Sequence, residues 1–223
     1  MNDQKLSPAD EFVNALRLNS QEFSVTFAAN DLARLRAYYE LTMRWNARLH
    51  LVAPCTPPEF AVRHVLESLV ALQFIQEDAR LIDVGSGAGL PAIPCLVQRP
   101  GARATLVESS TKKTVFLREA LRCVGRHERA SVVAARFEET HAPAADVVTC
   151  RALDRFKEML ASLIRWSPPA STLLIFGGPA IRDELERITP WFQSVHIPQS
   201  EQRFLFAVER RTIDESPTMD DGR

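Results

Sequence analysis

The run Leu81-Ile82-Asp83-Val84-Gly85-Ser86-Gly87-Ala88-Gly89-Leu90-Pro91 couples a short apolar strand to a glycine-dense turn that opens onto a helix. Glycine reaches backbone angles closed to other residues, and without a Cβ it lets main-chain N–H groups approach a ligand. The turn therefore reads as a cradle for a nucleotide-like cofactor. Asp83, two residues before the first glycine, places a carboxylate where it can hold a cationic amine or a bound water. That suits S-adenosylmethionine, which carries an ammonium and a sulfonium and has no pyrophosphate. A dinucleotide site expects G-x-G-x-x-G. Here the third glycine, Gly89, comes one residue early and Leu90 fills the expected place, so nicotinamide binding is the weaker reading. A second apolar run, Ala104 to Val107, ends in Glu108, 19 residues past Gly89. An acid there can accept both ribose hydroxyls of an adenosine. Asp83, Gly87, Gly89 and Glu108 are the cofactor-binding candidates read from the residues themselves.

A chain of 223 residues with 46% hydrophobic and 25% charged residues can bury a sizeable core and fits neither a disordered nor a fibrous class. Its net charge of −1 excludes nucleic-acid binding by bulk charge, so any such contact has to come from local basic patches. Cys55, Cys95, Cys123 and Cys150 form no C-x-x-C pair and have no histidine at ligand spacing. They read as reduced thiols rather than a zinc site or a disulfide framework. No metal is expected. The polar start, Met1 to Lys5, does not resemble a signal peptide, and the uncharged runs at 68–76 and 90–98 are too short to span a membrane. A cytoplasmic protein is the expectation.

Ahead of the glycine turn, Asp31 can cap a helix in which Leu32, Leu35, Tyr38, Tyr39, Met43 and Trp45 recur at helical spacing. Pro57-Pro58-Glu59 then opens a second helical pattern through Phe60, Val65, Leu66, Leu69, Val70 and Phe74. From Leu81 onward, strands alternate with helices. Strands are expected at 81–84, 104–107, 131–135, 146–150 and 171–176, with helices from about Leu90, over 112–124, and around 159–166 and 181–188. Alternation of this kind builds a parallel sheet covered on both faces. Residues 194–197 and 203–208 lie close enough for a closing hairpin. The expected fold is α/β, a Rossmann-like, mostly parallel sheet with an antiparallel last strand, as in class I S-adenosylmethionine-dependent methyltransferases. Residues 1–78 form an N-terminal helical cap packed on the main domain, 79–210 the main domain, and 211–223 a loose, disordered tail.

In order along the chain stand Arg44-Trp45-Asn46, Arg63-His64-Val65-Leu66-Glu67-Ser68, the glycine turn with Ile93-Pro94, Glu108-Ser109, Lys112-Lys113, Phe116-Leu117, Arg136-Phe137-Glu138 and Arg151-Ala152. This ordered set resembles the RsmG (GidB) family of bacterial methyltransferases, and the likeness covers most of the chain. The resemblance implies methyl transfer from S-adenosylmethionine to N7 of a guanine in 16S ribosomal RNA, with the 30S subunit or an assembly intermediate as partner. It carries cofactor positions onto Gly85, Leu90, Phe137, Glu138 and Arg151, with Phe137 pressing on the adenine. The chain departs from the family's pattern at His50, Val52 and Ala92, and at Phe176, where the family has a lysine before the glycine. Competing readings are a methyltransferase for another RNA or a small molecule, and a non-catalytic ribosome assembly factor that keeps the cofactor fold.

Guanine N7 carries a free lone pair at neutral pH, so its methylation requires alignment and no proton-abstracting base. No catalytic residue is therefore assigned. Cys150 lacks the context of a covalent nucleophile and reads as a structural thiol. His64 reads as a core or interface histidine. Lys112, Lys113, Arg118, Arg122, Arg126 and Arg129 crowd one helix and its exit, and Arg34, Arg36, Arg44 and Arg48 another. Lys112 and Lys113, just past the Glu108 loop, are the RNA-binding candidates. Trp45 reads as core.

Overall fold

A computed structural model describes residues 6–151 and 156–210. The segment 211–223, expected as a loose tail, and Ala152 lie outside the described residues. The chain opens with helices α1 (Pro8–Asn19) and α2 (Ala29–Leu49). A continuous helical stretch follows: α3 (Pro57–Phe60), a π-helical turn (Ala61–Leu66), α4 (Glu67–Leu69) and a 3-10 turn (Val70–Phe74). The strands are β1 (Arg80–Val84), β2 (Arg103–Glu108), β3 (Ala130–Ala134), β4 (Val147–Cys150), β5 (Thr172–Gly177), β6 (Phe192–His196) and β7 (Phe204–Glu209). Between them run α5 (Ala92–Gln98), α6 (Thr111–Cys123), α7 (Phe156–Trp166) and α8 (Pro179–Ile188), with a 3-10 turn at Phe137–Glu139.

The seven strands form one sheet in the order β3-β2-β1-β4-β5-β7-β6. β1 to β5 are parallel, and β7 pairs antiparallel with both β5 and β6. The expected hairpin is thus present, with its second strand inserted between β5 and β6. The strand order reverses between β1 and β4, which pair directly. That switch point is where ligands bind in open α/β sheets, because the loops leaving the two strands diverge to opposite faces.

Alternation along the strands feeds two cores. Leu81, Leu106, Leu174 and Phe176 pack with α5, α6 and the N-terminal helices, whereas Ile82, Val84, Val148, Leu173 and Ile175 pack with α7 and α8. The N-terminal helices are held by an aromatic column. Phe12 of α1 stacks on Tyr39 at 4.6 Å, and Phe60 packs edge-on against both rings. Asp31, expected as the cap of α2, lies in its first turn, where Oδ2 accepts the Ala28 backbone N–H at 3.0 Å and the Gln98 amide at 3.2 Å. The correction follows from geometry, since a carboxylate three residues inside the helix reaches back to the chain entering it. Among the described residues, no helix is long and apolar enough to cross a membrane.

Tyr38 links cap and sheet: its fully buried hydroxyl donates to the Ala88 carbonyl in the glycine turn at 2.7 Å. Tyr38→Phe leaves that buried carbonyl unpaired. The variant is expected to lose about 1 to 3 kcal/mol in urea unfolding, with the denaturant slope unchanged.

Candidate active site

The glycine turn leaves β1 with Gly85, Gly87 and Gly89 all at positive φ, at 68°, 53° and 82°. The Gly85 and Ser86 N–H groups donate to the Val107 carbonyl, which ties the turn to β2. Gly89 is required for packing. A Cβ there would sit 2.4 Å from Ile93 Cδ1 and 3.2 Å from Leu117 Cδ2, so the early third glycine allows α5 and α6 to close on the strand. At Gly87 a Cβ would meet nothing nearer than the Gly85 carbonyl at 3.7 Å, and the cleft is open in front of it.

Glu108 ends β2 with its carboxylate against the turn. Oε2 accepts the Gly87 N–H at 2.9 Å and Oε1 the Ser110 N–H at 2.8 Å. Each carboxylate oxygen has two lone pairs, so both retain acceptor capacity toward a diol. Asp83 lies beneath the turn, fully buried. Its Oδ1 accepts the Thr149 hydroxyl at 2.7 Å, and its Oδ2 has no partner among the described residues. Burial pushes its pKa up to about 7, against the Thr149 and Ser86 hydrogen bonds that lower it. An orphaned carboxylate oxygen at this place fits the ammonium of S-adenosylmethionine, which would supply the missing donor.

A cleft of about 590 Å³ opens over these groups, lined by Leu51 and Val52 after α2, His64 of the π-helical turn, 85–88 and Leu90 of the glycine turn, 108–110, Lys113 and Arg151. The cleft therefore gathers Gly85, Gly87, Leu90, Glu108, Lys113 and Arg151 from the sequence candidates, with Asp83 and Gly89 buried behind it. Phe137 is packed edge-on against Trp166 at 5.5 Å, Glu138 is exposed on the turn after β3, and Lys112 is exposed on α6; none of the three lines this cleft.

Arg151, which follows β4, points its guanidinium at the cap. Nη1 donates to the His64 carbonyl and to Ser68 Oγ, both at 3.2 Å, and Nη2 donates to the Arg63 carbonyl. Glu67, 2% exposed, takes Arg151 at 3.5 Å on one oxygen and Arg203 at 2.8 Å on the other. The Arg151 guanidinium also lies 6.0 Å from the Phe176 ring, so cations crowd the strand ends although position 176 itself is aromatic. His64 sits in this array with its pKa lowered to about 4, first by burial and then by Arg151, Arg63 and Arg203.

The basic residues divide. Arg126 is buried and donates to the Leu96 carbonyl, Arg36 pairs with Asp10 and Glu40, and Arg118 and Arg129 donate to backbone carbonyls. Arg44, Arg48, Arg122 and Lys112 are exposed and carry no ion pair among the described residues. Cys150 is fully buried in β4, and burial raises its thiol pKa well above normal, which accords with a structural thiol. Trp45 is half-buried, edge-on to Phe116 and donating to Glu119. Among the described residues, no group of three His, Cys, Asp or Glu side chains is placed to hold a metal ion.

Residues 31–212 match the sequence profile of a family described as rRNA small subunit methyltransferase G. A protein of that name from Xanthomonas campestris pv. campestris (strain B100) is 39% identical over 186 residues, covering 83% of this chain and 85% of its own. Its namesake from Neisseria gonorrhoeae (strain NCCP11945) is 41% identical over 134 residues, or 60% of this chain and 62% of its own. Among solved structures, an RNA methyltransferase from Salinibacter ruber in complex with S-adenosyl-L-homocysteine aligns with TM-score 0.52 and 17% identity over 76% of this chain and 100% of that one. Mitomycin 7-O-methyltransferase aligns with TM-score 0.58 and 17% identity over 92% of this chain and 74% of that one. At that identity the two structures speak for the fold.

Asp83 binds protons in the folded state that the unfolded chain, with a pKa of 3.8, releases. The contribution of Asp83 to the stability of the ligand-free protein is therefore expected to decline as pH rises from about 4 to about 7 and then to level off, opposed over about 4 to 6.5 by His64, whose lowered pKa acts with the other sign. Asp83→Asn should flatten that decline in urea melts recorded across the range.

Proposed function

Because the chain belongs to the rRNA small subunit methyltransferase G family, and is thereby an S-adenosylmethionine-dependent methyltransferase of small-subunit ribosomal RNA, we propose that it methylates N7 of a guanine in 16S RNA. The observation that carries the N7 assignment is the chemistry of the described cleft wall. Its one carboxylate, Glu108, is occupied by two backbone N–H groups, and its one imidazole, His64, has a pKa of about 4. Glu108 is committed to two backbone N–H groups and the ribose diol, Asp83 is buried behind the turn on the cofactor's ammonium, and His64 is too weak a base at neutral pH, whereas an exocyclic amine or a hydroxyl must lose a proton during methylation. N7 has a lone pair and loses none.

S-adenosylmethionine supplies the electrophilic methyl group when bound. Asp83 takes its ammonium, Glu108 its ribose hydroxyls, and Gly85, Gly87, Gly89 and Leu90 shape the wall against it. Phe137 and the Glu138 backbone are assigned to the adenine by the family's pattern, from the turn after β3 beside the described cleft wall rather than within it. Arg151 acts from the cleft wall by holding cap residues in place. Lys112 and Lys113, at the start of α6 beside the Glu108 loop, meet phosphate.

The reading divides the chain into a cap over 1–78, which brings His64 to the cleft, and a methyltransferase domain over 79–210. With a net charge of −1, electrostatic attraction to naked RNA is weak. A 30S subunit or a late assembly intermediate, which adds shape and protein surface to the phosphates, is the favoured substrate, in the cytoplasm.

The test is methyl transfer from labelled S-adenosylmethionine to 30S subunits of a strain lacking the enzyme, followed by strand scission at 7-methylguanine. Scission at a single guanine is expected; labelled RNA without scission would refute N7. Asp83→Asn is expected to weaken S-adenosylmethionine binding by about tenfold or more in calorimetry, since it removes a charge-assisted contact. The pair Lys112→Ala and Lys113→Ala is expected to raise KM for subunits and to lower the slope of log KM against log salt by about two.

A further inference from the structure

The π-helical turn Ala61–Leu66 interrupts an otherwise α-helical stretch and delivers His64 to the cleft. Such turns cost hydrogen-bond geometry and are concentrated at functional sites. This one is held by Arg151, which donates to the carbonyls of Arg63 and His64. The imidazole ring is fixed on two sides. It packs against Phe60 at 5.1 Å between centroids, and its Nδ1 lies 3.5 Å from Arg151 Nη2.

A guanidinium has donors and no acceptor. We assign the nitrogen facing it as the acceptor, which puts the proton of the neutral ring on Nε2. Burial first, and then the neighbouring Arg151, Arg63 and Arg203, lower its pKa to about 4, so the ring is uncharged at physiological pH. Nε2 has no protein partner among the described residues and is not sealed from solvent. His64, a residue of the cleft wall, therefore carries an unpaired N–H donor, and Arg151 beside it is turned toward backbone carbonyls and Glu67.

We propose that His64 is a specificity-determining residue that donates its Nε2–H to O6 of the target guanine, an inference that rests on the guanine-N7 reading above. The major-groove edge of guanine presents N7 and O6, both acceptors, side by side. A donor on O6 orients the base while leaving the N7 lone pair free for the methyl group. Adenine presents an amino group at the equivalent place, so the same N–H would face another donor and reject it. Neutrality also matters. A cation on O6 would withdraw more electron density from N7 and repel the cationic product, and a neutral imidazole does neither.

The test compares wild type, His64→Phe, which keeps a ring and removes the donor, and His64→Gln, which restores an N–H near the Nε2 position. His64→Phe is expected to lose about tenfold or more in kcat/KM for 30S subunits, with S-adenosylmethionine affinity within about twofold of wild type. His64→Gln should recover most of the loss. Preference for guanine over adenine at the target position, measured on subunits reconstituted with each base, should narrow in His64→Phe. Unchanged kcat/KM in His64→Phe overturns the proposal. So does a parallel loss of cofactor affinity, which would assign His64 to the cofactor, or a His64→Gln variant no better than His64→Phe. If His64→Phe does not fold, His64→Ala takes its place in the same comparison. A wild-type enzyme that leaves N7 unmethylated fails the function reading itself, before any variant is compared.

Discussion

Arg151 is the piece on which the arrangement of cap and sheet depends. It stands at the end of β4, beside the strand-order switch, and its guanidinium is spent on the cap: two carbonyls of the π-helical turn, the Ser68 hydroxyl and the Glu67 carboxylate. Burial lowers the Arg151 pKa and raises that of Glu67, and each charge opposes the effect on the other. Both oxygens of the Glu67 carboxylate, 2% exposed, face a cation, which offsets part of the cost of burying it. The arrangement contributes register more than raw stability. An apolar contact would let the helical stretch slide on the strand ends, whereas donors aimed at named carbonyls tolerate one position.

That register decides what the cleft contains. The cofactor cradle is built by the sheet: Asp83 and the glycines from the end of β1, Glu108 from the end of β2. The opposite wall is built by the cap, from Leu51, Val52 and His64. Tyr38 adds a direct hydrogen bond from α2 to the glycine turn, and Asp31–Gln98, Trp45–Glu119 and Glu67–Arg203 join cap and main domain elsewhere. Cofactor binding and substrate selection thus reside in different parts of the chain, held in fixed relation by these polar contacts.

The sheet was largely legible because strand patterns and glycine turns are local. β1 through β5 fall within a residue or two of the expected runs, and Glu108, singled out for its spacing past Gly89, ends β2 against the glycine turn. Helix α1 drew no specific expectation, although Ser7-Pro8 followed by Asp10-Glu11 is a start signal. The π-helical turn left no signal of that kind. Its carbonyls are satisfied by an arginine 87 residues away, so the deformation is a tertiary effect without a sequence period. Arg126 illustrates the same limit. Its charge suggested a solvent-facing or RNA-facing role, yet the chain folds it inward to cap the Leu96 carbonyl.

His64 read from the sequence as a core or interface histidine, and it is half-buried against Phe60 and Arg151; its proposed role was not legible. An isolated histidine is ambiguous because its tautomer, charge and direction are all set by neighbours. Here each of the three is determined from a different element: direction by the π-helical turn and the Phe60 ring, tautomer by Arg151 from β4, and charge by burial among Arg63, Arg151 and Arg203. A group so constrained is pre-organised, since its proton need not be moved or reoriented when a base arrives. Proton abstraction would call for a titratable imidazole near neutral pH, and this surrounding removes that property. What it leaves is a fixed neutral donor, which suits a reaction whose nucleophile is a lone pair already present on the substrate.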